Sequence, residues 1–217
     1  MMKKYLIGAL IFIFSAGAAS AEIMMTADPL GKGKWSMTAG AKLDQNYFDM
    51  GAVSVQYLDT FGYGINDRLD IYATTGLGYS QKATDKPRTM DTMTMVNLGA
   101  SLKYALFTQD AKRQFSMSVI AGFKGGSQSK SSMNNWQYSI GLIASRKHKL
   151  FSPYLGMNYR QTKQNYGDYS QADYTIGAKF GTEDRSLVLE DTLQIVDFAG
   201  NAFQSNQFAL GVCIGLN

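Results

Sequence analysis

Hydrophobic and polar residues alternate along most of the chain, and the stretch 62–80 shows this most clearly. From Leu69 onward, one set of alternate positions is mainly apolar or aromatic and the other is polar or glycine. A period of two predicts a β-strand with two unlike faces. The polar face includes Gly76 and Gly78, where a soluble sandwich core would place bulk. We therefore predict a strand whose apolar face points away from the centre of the fold.

Segments with the same alternation recur from position 34 to the end of the chain. The predicted strands begin near positions 34, 52, 69, 94, 115, 136, 153, 174, 187 and 207. An apolar outside with a polar inside is what a closed barrel in lipid requires, because every backbone group must be paired there. The predicted fold class is all-β: a closed antiparallel up-and-down transmembrane β-barrel of about ten strands.

The connections between these strands are predicted to alternate in length. Polar gaps at 44–51, 82–93, 125–135, 161–173 and 197–206 are long, those at 64–68, 146–149 and 182–185 are tight, and 108–114 is intermediate. Outer-membrane barrels combine longer extracellular loops with short periplasmic turns. The rhythm therefore predicts that the barrel begins on the periplasmic side.

Three regions are predicted along the chain. Residues 1–21 have a basic head, an apolar core and an A-x-A ending, which predicts a signal peptide cleaved after Ala21. Residues 22–33 lack alternation and are predicted to be a short periplasmic leader, and 34–217 form the barrel. Cleavage would lower the formal net charge from +4 to +2, since 1–21 hold two of the 21 basic residues and none of the 17 acidic ones. Neither the charge nor any basic run favours a nucleic-acid partner.

The alternation assigns charged and polar side chains to the lumen. The predicted lumen-lining residues are Lys42, Gln56, Lys103, Lys124, Arg160, Lys179 and Glu190. They fit either a narrow passage for small anions or a sealed interior of hydrogen bonds and ion pairs. The inward glycines favour the passage. Asp191 falls on the lipid face, at a cost of about 1 to 3 kcal/mol, and marks a bulge, a protein contact or a wrongly assigned face.

Aromatic residues near the predicted strand ends form the second candidate set. The predicted interface girdle consists of Trp35, Tyr79, Trp136, Tyr138, Tyr159, Tyr174 and Phe208. Such girdles anchor a barrel at the two membrane interfaces. Ligand binding by these aromatic side chains is the alternative.

Little in the sequence indicates catalysis or metal binding. His148 is the single histidine, lies in a short basic turn and has no serine or acid placed for a triad. Cys213 is the single cysteine, so no intramolecular disulfide is possible. Asp168 and Asp173, with Tyr166 and Tyr169, are predicted to lie in a solvated loop, with calcium or sugar binding as the alternative. We expect no catalytic residue, metal site or cofactor.

The stretches GYGINDRLDIYATTGLGYS at 62–80 and SPYLGMNYR at 152–160 resemble the small bacterial outer-membrane β-barrel proteins, a superfamily with 8 to 12 strands. The resemblance implies a Gram-negative outer-membrane location, outer-membrane lipids as surroundings, and periplasmic chaperones and the barrel-assembly machinery as partners during export. Members usually end on an aromatic residue, whereas this chain ends Gly215, Leu216, Asn217. Enzymes of the group use a histidine or its equivalent at the outer rim, which His148 does not match.

These observations predict a non-enzymatic, monomeric outer-membrane barrel. It would serve as a structural envelope protein or as a narrow, porin-like passive pore for small solutes. One alternative is a barrel that binds or transports a hydrophobic or lipid ligand, which a large apolar cluster inside the wall would favour. Another alternative is a secreted soluble β-barrel or sandwich.

Overall fold

The computed structural model describes residues 25–46, 52–83, 90–128, 134–163, 168–198 and 200–216. Within them the chain forms ten antiparallel strands that close into one barrel, with β1 hydrogen-bonded to β10. The strands are β1 (Trp35–Asn46), β2 (Ala52–Gly64), β3 (Leu69–Ala83), β4 (Met90–Phe107), β5 (Ser116–Gln128), β6 (Asn134–Ser145), β7 (Phe151–Lys163), β8 (Tyr169–Gly181), β9 (Arg185–Phe198) and β10 (Asn201–Leu216). The predicted fold class is confirmed.

The two faces of the wall have the polarity that the alternation predicts. Leu98 and Ile176 on the outside are 59% and 61% exposed, whereas Ser101 and Ser118 on the inside are 4% and 0% exposed. Successive side chains of a strand point to opposite faces, so an alternating sequence separates them in this way. The described residues contain no helix long and apolar enough to cross a membrane.

The two ends of the barrel are named here by their connections. The turn end carries the β2–β3, β4–β5, β6–β7 and β8–β9 connections, together with the start of β1 and the end of β10. The loop end is the opposite one. The predicted signal peptide, 1–21, lies outside the described residues, as do residues 22–24 of the predicted leader.

The predicted strand boundaries were wrong at the loop end. β8 begins at Tyr169 and β10 at Asn201, so most of the predicted gaps 161–173 and 197–206 belongs to strands. β9 and β10 pair as far as Phe198 and Asn201, and Gly200 in the tight turn has φ +81°. Polar composition predicted loops there, but backbone pairing continues beyond the apolar belt, because hydrogen bonds between strands do not depend on side-chain polarity.

Candidate functional site in the barrel interior

Residues 25–30, called the plug here, lie inside the turn end of the barrel. Ala27 at its centre is 0% exposed. The Ala27 backbone N–H donates to Ser145 Oγ at 3.0 Å, and Ser118 Oγ donates to the Ala27 carbonyl oxygen at 2.5 Å. The backbone of the plug is therefore held by strands β5 and β6, which follow it by about a hundred residues in the sequence.

Asp28 and Leu30 extend these contacts to a third strand. The Asp28 carboxylate accepts hydrogen bonds from Ser116 Oγ at 2.5 Å and Ser145 Oγ at 3.1 Å. The Leu30 backbone N–H donates to both carboxylate oxygens of Asp70 on β3, at 3.2 and 3.1 Å. A bent segment whose backbone polar groups find partners inside the barrel can stay buried there.

Lys103 connects the plug to the barrel wall. Its ammonium group donates to the carbonyl oxygens of Thr26 at 3.1 Å and Asp28 at 2.7 Å, and it lies 3.1 Å from the Asp70 carboxylate. Lys103 and Asp70 are 1% and 0% exposed. The Tyr72 hydroxyl donates to Asp70 at 3.1 Å. A buried charge pair needs such additional hydrogen bonds to offset its loss of water, and here three backbone groups of the plug supply them.

Two glycines turn the chain from the plug into β1. Gly31 and Gly33 have φ values of 88° and 78°, a region that other residues rarely adopt. The Gly33 N–H donates to the Gly64 carbonyl at 2.8 Å and the Gly64 N–H donates to the Lys34 carbonyl at 2.9 Å. The plug is thereby joined to the wall at its base.

An apolar cluster fills the barrel next to the plug. Ala27 belongs to it, and Met25 packs against it. Its members from the wall are Leu58, Ile120, Ile143, Tyr154, Val188, Ala209 and Cys213. Apolar side chains at these inward positions exclude water from the same section of the barrel that the plug occupies.

Two inward tyrosines occupy the space that inward glycines leave. A Cβ atom at Gly177 would lie 2.3 Å from the Tyr154 ring, and one at Gly62 would lie 2.6 Å from the Tyr72 ring. The Tyr154 hydroxyl donates to Glu190 at 2.6 Å, much as Tyr72 donates to Asp70. These glycines therefore admit aromatic rings, contrary to our interpretation that the inward glycines favour an open passage.

Replacing Gly177 by alanine is expected to lower the free energy of unfolding by about 1 to 3 kcal/mol, because the new methyl group overlaps the Tyr154 ring. Urea unfolding in detergent micelles, followed by tryptophan fluorescence, measures the change. Ala178→Val at the next position, on the outer face, is the matched control and should change stability by less than about 0.5 kcal/mol. Equal effects of the two substitutions would contradict the contact.

Charged and amide side chains fill the loop-end half of the lumen. Arg160 Nη2 donates to Asp173 Oδ1 at 2.6 Å, and Gln171 Nε2 donates to the same oxygen at 2.7 Å. All three side chains are buried. Asp173 was predicted to lie in a solvated loop; it lies in β8, because this strand begins five residues earlier than the alternation suggested.

A second network surrounds Asp44 on strands β10, β1 and β2. Its carboxylate accepts from Ser54 Oγ at 3.2 Å and from Gln56 Nε2 at 3.3 Å, and Gln207 donates to its other oxygen. Lys42 Nζ lies 3.6 Å from it. Both networks fit the sealed-interior hypothesis better than an aqueous passage, because their polar groups bind one another.

The structure places every predicted lumen residue on the inner side of the wall. Lys42, Lys103, Arg160 and Glu190 are buried, and Gln56, Lys124 and Lys179 are half-buried. The interior brings Gln56 and Lys42 together at Asp44, whereas Lys103 and Glu190 bind in separate clusters near the turn end. Cys213 is also inward and buried.

The predicted girdle residues all point outward. Trp35, Tyr79, Trp136, Tyr138, Tyr159, Tyr174 and Phe208 are each between 45% and 53% exposed. Trp35 lies at the turn end with its ring 4.5 Å from that of Tyr63, and Trp136 lies toward the loop end, 5.3 Å from Phe123. The Trp35–Tyr63 and Phe123–Trp136 pairs lie toward opposite ends, as a membrane interface favours, whereas Phe208 lies across from Asp191 near the middle of β9.

A cavity of about 210 Å³ lies between the plug and the wall at the turn end. Several basic side chains line it, including Lys34, His148 and Lys179. Exposed Lys147 donates to Glu183 at its rim, which holds the pKa of that carboxyl below its usual value. His148 is exposed, and among the described residues no group of three potential metal ligands forms.

The plug and the inward apolar residues were not predicted from the sequence. Leu58, Ile120, Ile143 and Val188 were passed over because each stands at an inward position that we expected to be polar or small. All four stand at the alternate positions of their strands that face inward, and this shared alternation is the sequence signal that could have identified them. The plug contains no alternation at all, so only its long-range contacts reveal it.

A closed antiparallel barrel with an apolar outer wall and a polar, hydrogen-bonded interior has the fold of the bacterial outer-membrane β-barrels. No protein-family model and no curated protein sequence matches the chain. Among solved structures, an outer-membrane channel from Pseudomonas putida F1 is similar at 9% identity and a TM-score of 0.56, over 92% of this chain and 100% of that one. The β domain of the Bordetella autotransporter Brka is similar at 12% identity and a TM-score of 0.53, over 86% of this chain and 100% of that one. These similarities establish the fold.

Proposed function

We propose that this protein is a non-enzymatic structural component of the bacterial outer membrane, with a closed lumen. One observation carries the proposal: the plug is bound inside the turn end by Ser145, Ser118, Asp70 and Lys103. A segment held by direct hydrogen bonds to three or more strands occupies the path that a solute would take.

The outer wall supports the membrane location. Large apolar side chains such as Leu155 and Ile140, 61% and 58% exposed, cover it between the two aromatic ends. A surface of this kind is unfavourable in water and is suited to hydrocarbon. The predicted signal peptide and the proposed turn-end orientation toward the periplasm agree with export to that membrane.

The pore alternative is less well supported than the structural one. The loop-end half of the lumen is crossed by the Arg160–Asp173 pair and the Asp44 network, and the turn-end half holds the plug and the apolar cluster. The hydrophobic-ligand alternative predicted an apolar cluster inside the wall, and one is present. Its members pack against one another and against Ala27, so the chain itself fills the space.

Planar-bilayer recording on the purified protein tests the proposal. We expect no discrete current steps from the full chain, and brief steps from a variant that lacks residues 25–30, because the lumen then loses its backbone obstruction and the groups that still cross it are side chains, which can move aside. If the full chain gives no current steps and the deletion variant does, the result would support closure of the lumen by the plug. Steady current steps from the full chain would contradict it.

A further inference from the structure

Asp191 places a carboxylate on the outer wall near the middle of β9. Along the strand, the outward positions before and after it are Leu189 and Leu193. Across the strands it pairs with Ile176 on β8 and Phe208 on β10. An exposed charged group therefore lies within an apolar part of the wall.

The structure separates the three explanations that the sequence allowed for this residue. The pairing of β9 with β8 and with β10 continues through Asp191 without a register shift, so there is no bulge. Glu190 and Thr192 on either side are buried inward, at 4% and 6% exposure, so the outward face is correctly assigned. A contact with another protein is the explanation that fits both observations.

The carboxylate lacks a partner within the described part of the chain. No hydrogen bond or ion pair joins Asp191 to another described residue. An ionisable side chain at membrane depth is costly, and such residues pair with other groups and mark functional sites. Asp191 therefore carries this energetic cost, and no described residue of its own chain offsets it.

A second unsatisfied polar site lies on the same side of the barrel. Asp59, near the middle of β2, also points outward and pairs across the strands with Thr75 on β3. Asp59 Oδ1 and Thr75 Oγ1 are both buried without a hydrogen-bond partner. Strands β10 and β1 separate Asp59 from Asp191. The Asp59 and Thr75 atoms are both enclosed within the wall, and the Asp59 carboxylate also hydrogen-bonds Tyr57, so the exposed acceptor that a neighbour could reach is Asp191.

We infer that this part of the wall, centred on Asp191, is an intramembrane interface for a second membrane-embedded chain that presents a lysine or arginine at mid-depth. The inference rests on the proposed membrane location. A basic side chain supplies both the opposite charge and the hydrogen-bond donors that a carboxylate requires away from water. The surrounding leucine, isoleucine and phenylalanine side chains supply apolar contact area.

A second copy of this chain does not fit the interface. Among the described strand residues, the outward basic side chains are Lys163, at the loop end of β7, and Arg185, at the turn end of β9. Neither reaches the middle of a neighbouring barrel that stands parallel in the same membrane. A lipid head group does not fit either, because head-group charges lie at the membrane surfaces and the middle of the wall faces acyl chains.

Energy transfer in phosphatidylcholine vesicles tests the inference. The donor-labelled barrel is reconstituted with an acceptor-labelled model membrane-spanning peptide of leucine and alanine, carrying either one central lysine or a central leucine. We expect the lysine peptide to associate with the wild-type barrel about tenfold more strongly than the leucine peptide. The preference should vanish in Asp191→Leu, which should fold normally because only outward atoms change.

A transplanted carboxylate provides the matched control. The double variant Asp191→Leu, Leu98→Asp moves the acid to the outer face of β4, the strand opposite β9 in the closed barrel. We expect little preference for the lysine peptide there, because the surrounding wall differs. Equal preference would show that any outward carboxylate attracts the peptide, and it would overturn the assigned interface, as would equal binding of the lysine peptide to wild type and Asp191→Leu.

Two further results overturn the inference in distinguishable ways. Self-association of differently labelled wild-type barrels that is lost in Asp191→Leu would assign the surface to a second copy. Failure of the wild-type barrel to float with the vesicles would reject the proposed membrane function as well. Flotation without any preference for the lysine peptide would reject this inference alone.

Discussion

Replacing Lys103 by alanine is expected to lower the free energy of unfolding by about 3 to 5 kcal/mol. The substitution leaves the Asp70 carboxylate, 0% exposed, without its cation. It also removes the donor that binds the Thr26 and Asp28 carbonyls of the plug. Urea unfolding in detergent micelles, followed by tryptophan fluorescence, gives the difference from wild type.

Lys112→Ala is the matched control for this substitution. Lys112 lies exposed in the β4–β5 turn, so the same chemical change there should alter stability by less than about 0.5 kcal/mol. The double variant Asp70→Asn, Lys103→Met should recover part of the loss, because it leaves no unpaired buried charge. A loss below about 1 kcal/mol in Lys103→Ala would show that the pair does not stabilise the barrel.

Replacing Arg160 by alanine is expected to cost about 3 to 5 kcal/mol as well, at the other half of the lumen. Arg160 and Asp173 are 4% and 3% exposed, and the guanidinium contacts both carboxylate oxygens. After the substitution, Gln171 is the remaining described side chain that donates to Asp173. The same unfolding measurement detects the loss.

A conservative variant and a control test whether Arg160 acts through its charge or through the planar geometry of its guanidinium group. Arg160→Lys keeps the charge but loses the planar fork, so it should recover only part of the lost stability. Gln161→Ala on the outer face, at the next position, should leave stability within about 0.5 kcal/mol of wild type. An Arg160→Ala protein as stable as Gln161→Ala would mean that the loop-end lumen is hydrated and that Asp173 is solvated there.

The strands and their faces could be predicted from local pattern alone. Alternation of the kind seen from Leu69 to Tyr79 depends on neighbouring residues in the chain, and it separated exposed Leu98 from buried Ser101 correctly. It did not predict where β8 and β10 begin, because polar side chains tolerate both a loop and a paired strand. Strand pairing, which decides between these, involves residues distant in sequence.

The content of the lumen could be predicted only in part. Alternation places Lys103 and Asp70 on the inner face but does not show that they form a pair, since their register across β3 and β4 follows from the closed barrel. The Lys103 contact with Thr26 joins residues 77 positions apart. A non-alternating segment such as 25–30 carries no local sign that it will be buried, so its position follows from the three-dimensional structure.

The position of the plug also constrains the order in which the protein assembles. Residues 25–30 precede β1, yet their hydrogen bonds go to side chains of β3, β4, β5 and β6. These partners come together only after the four strands have paired with one another. The first described residues of the chain therefore reach their final environment after strands that follow them in the sequence, and their docking reports that the β3–β6 part of the wall has formed.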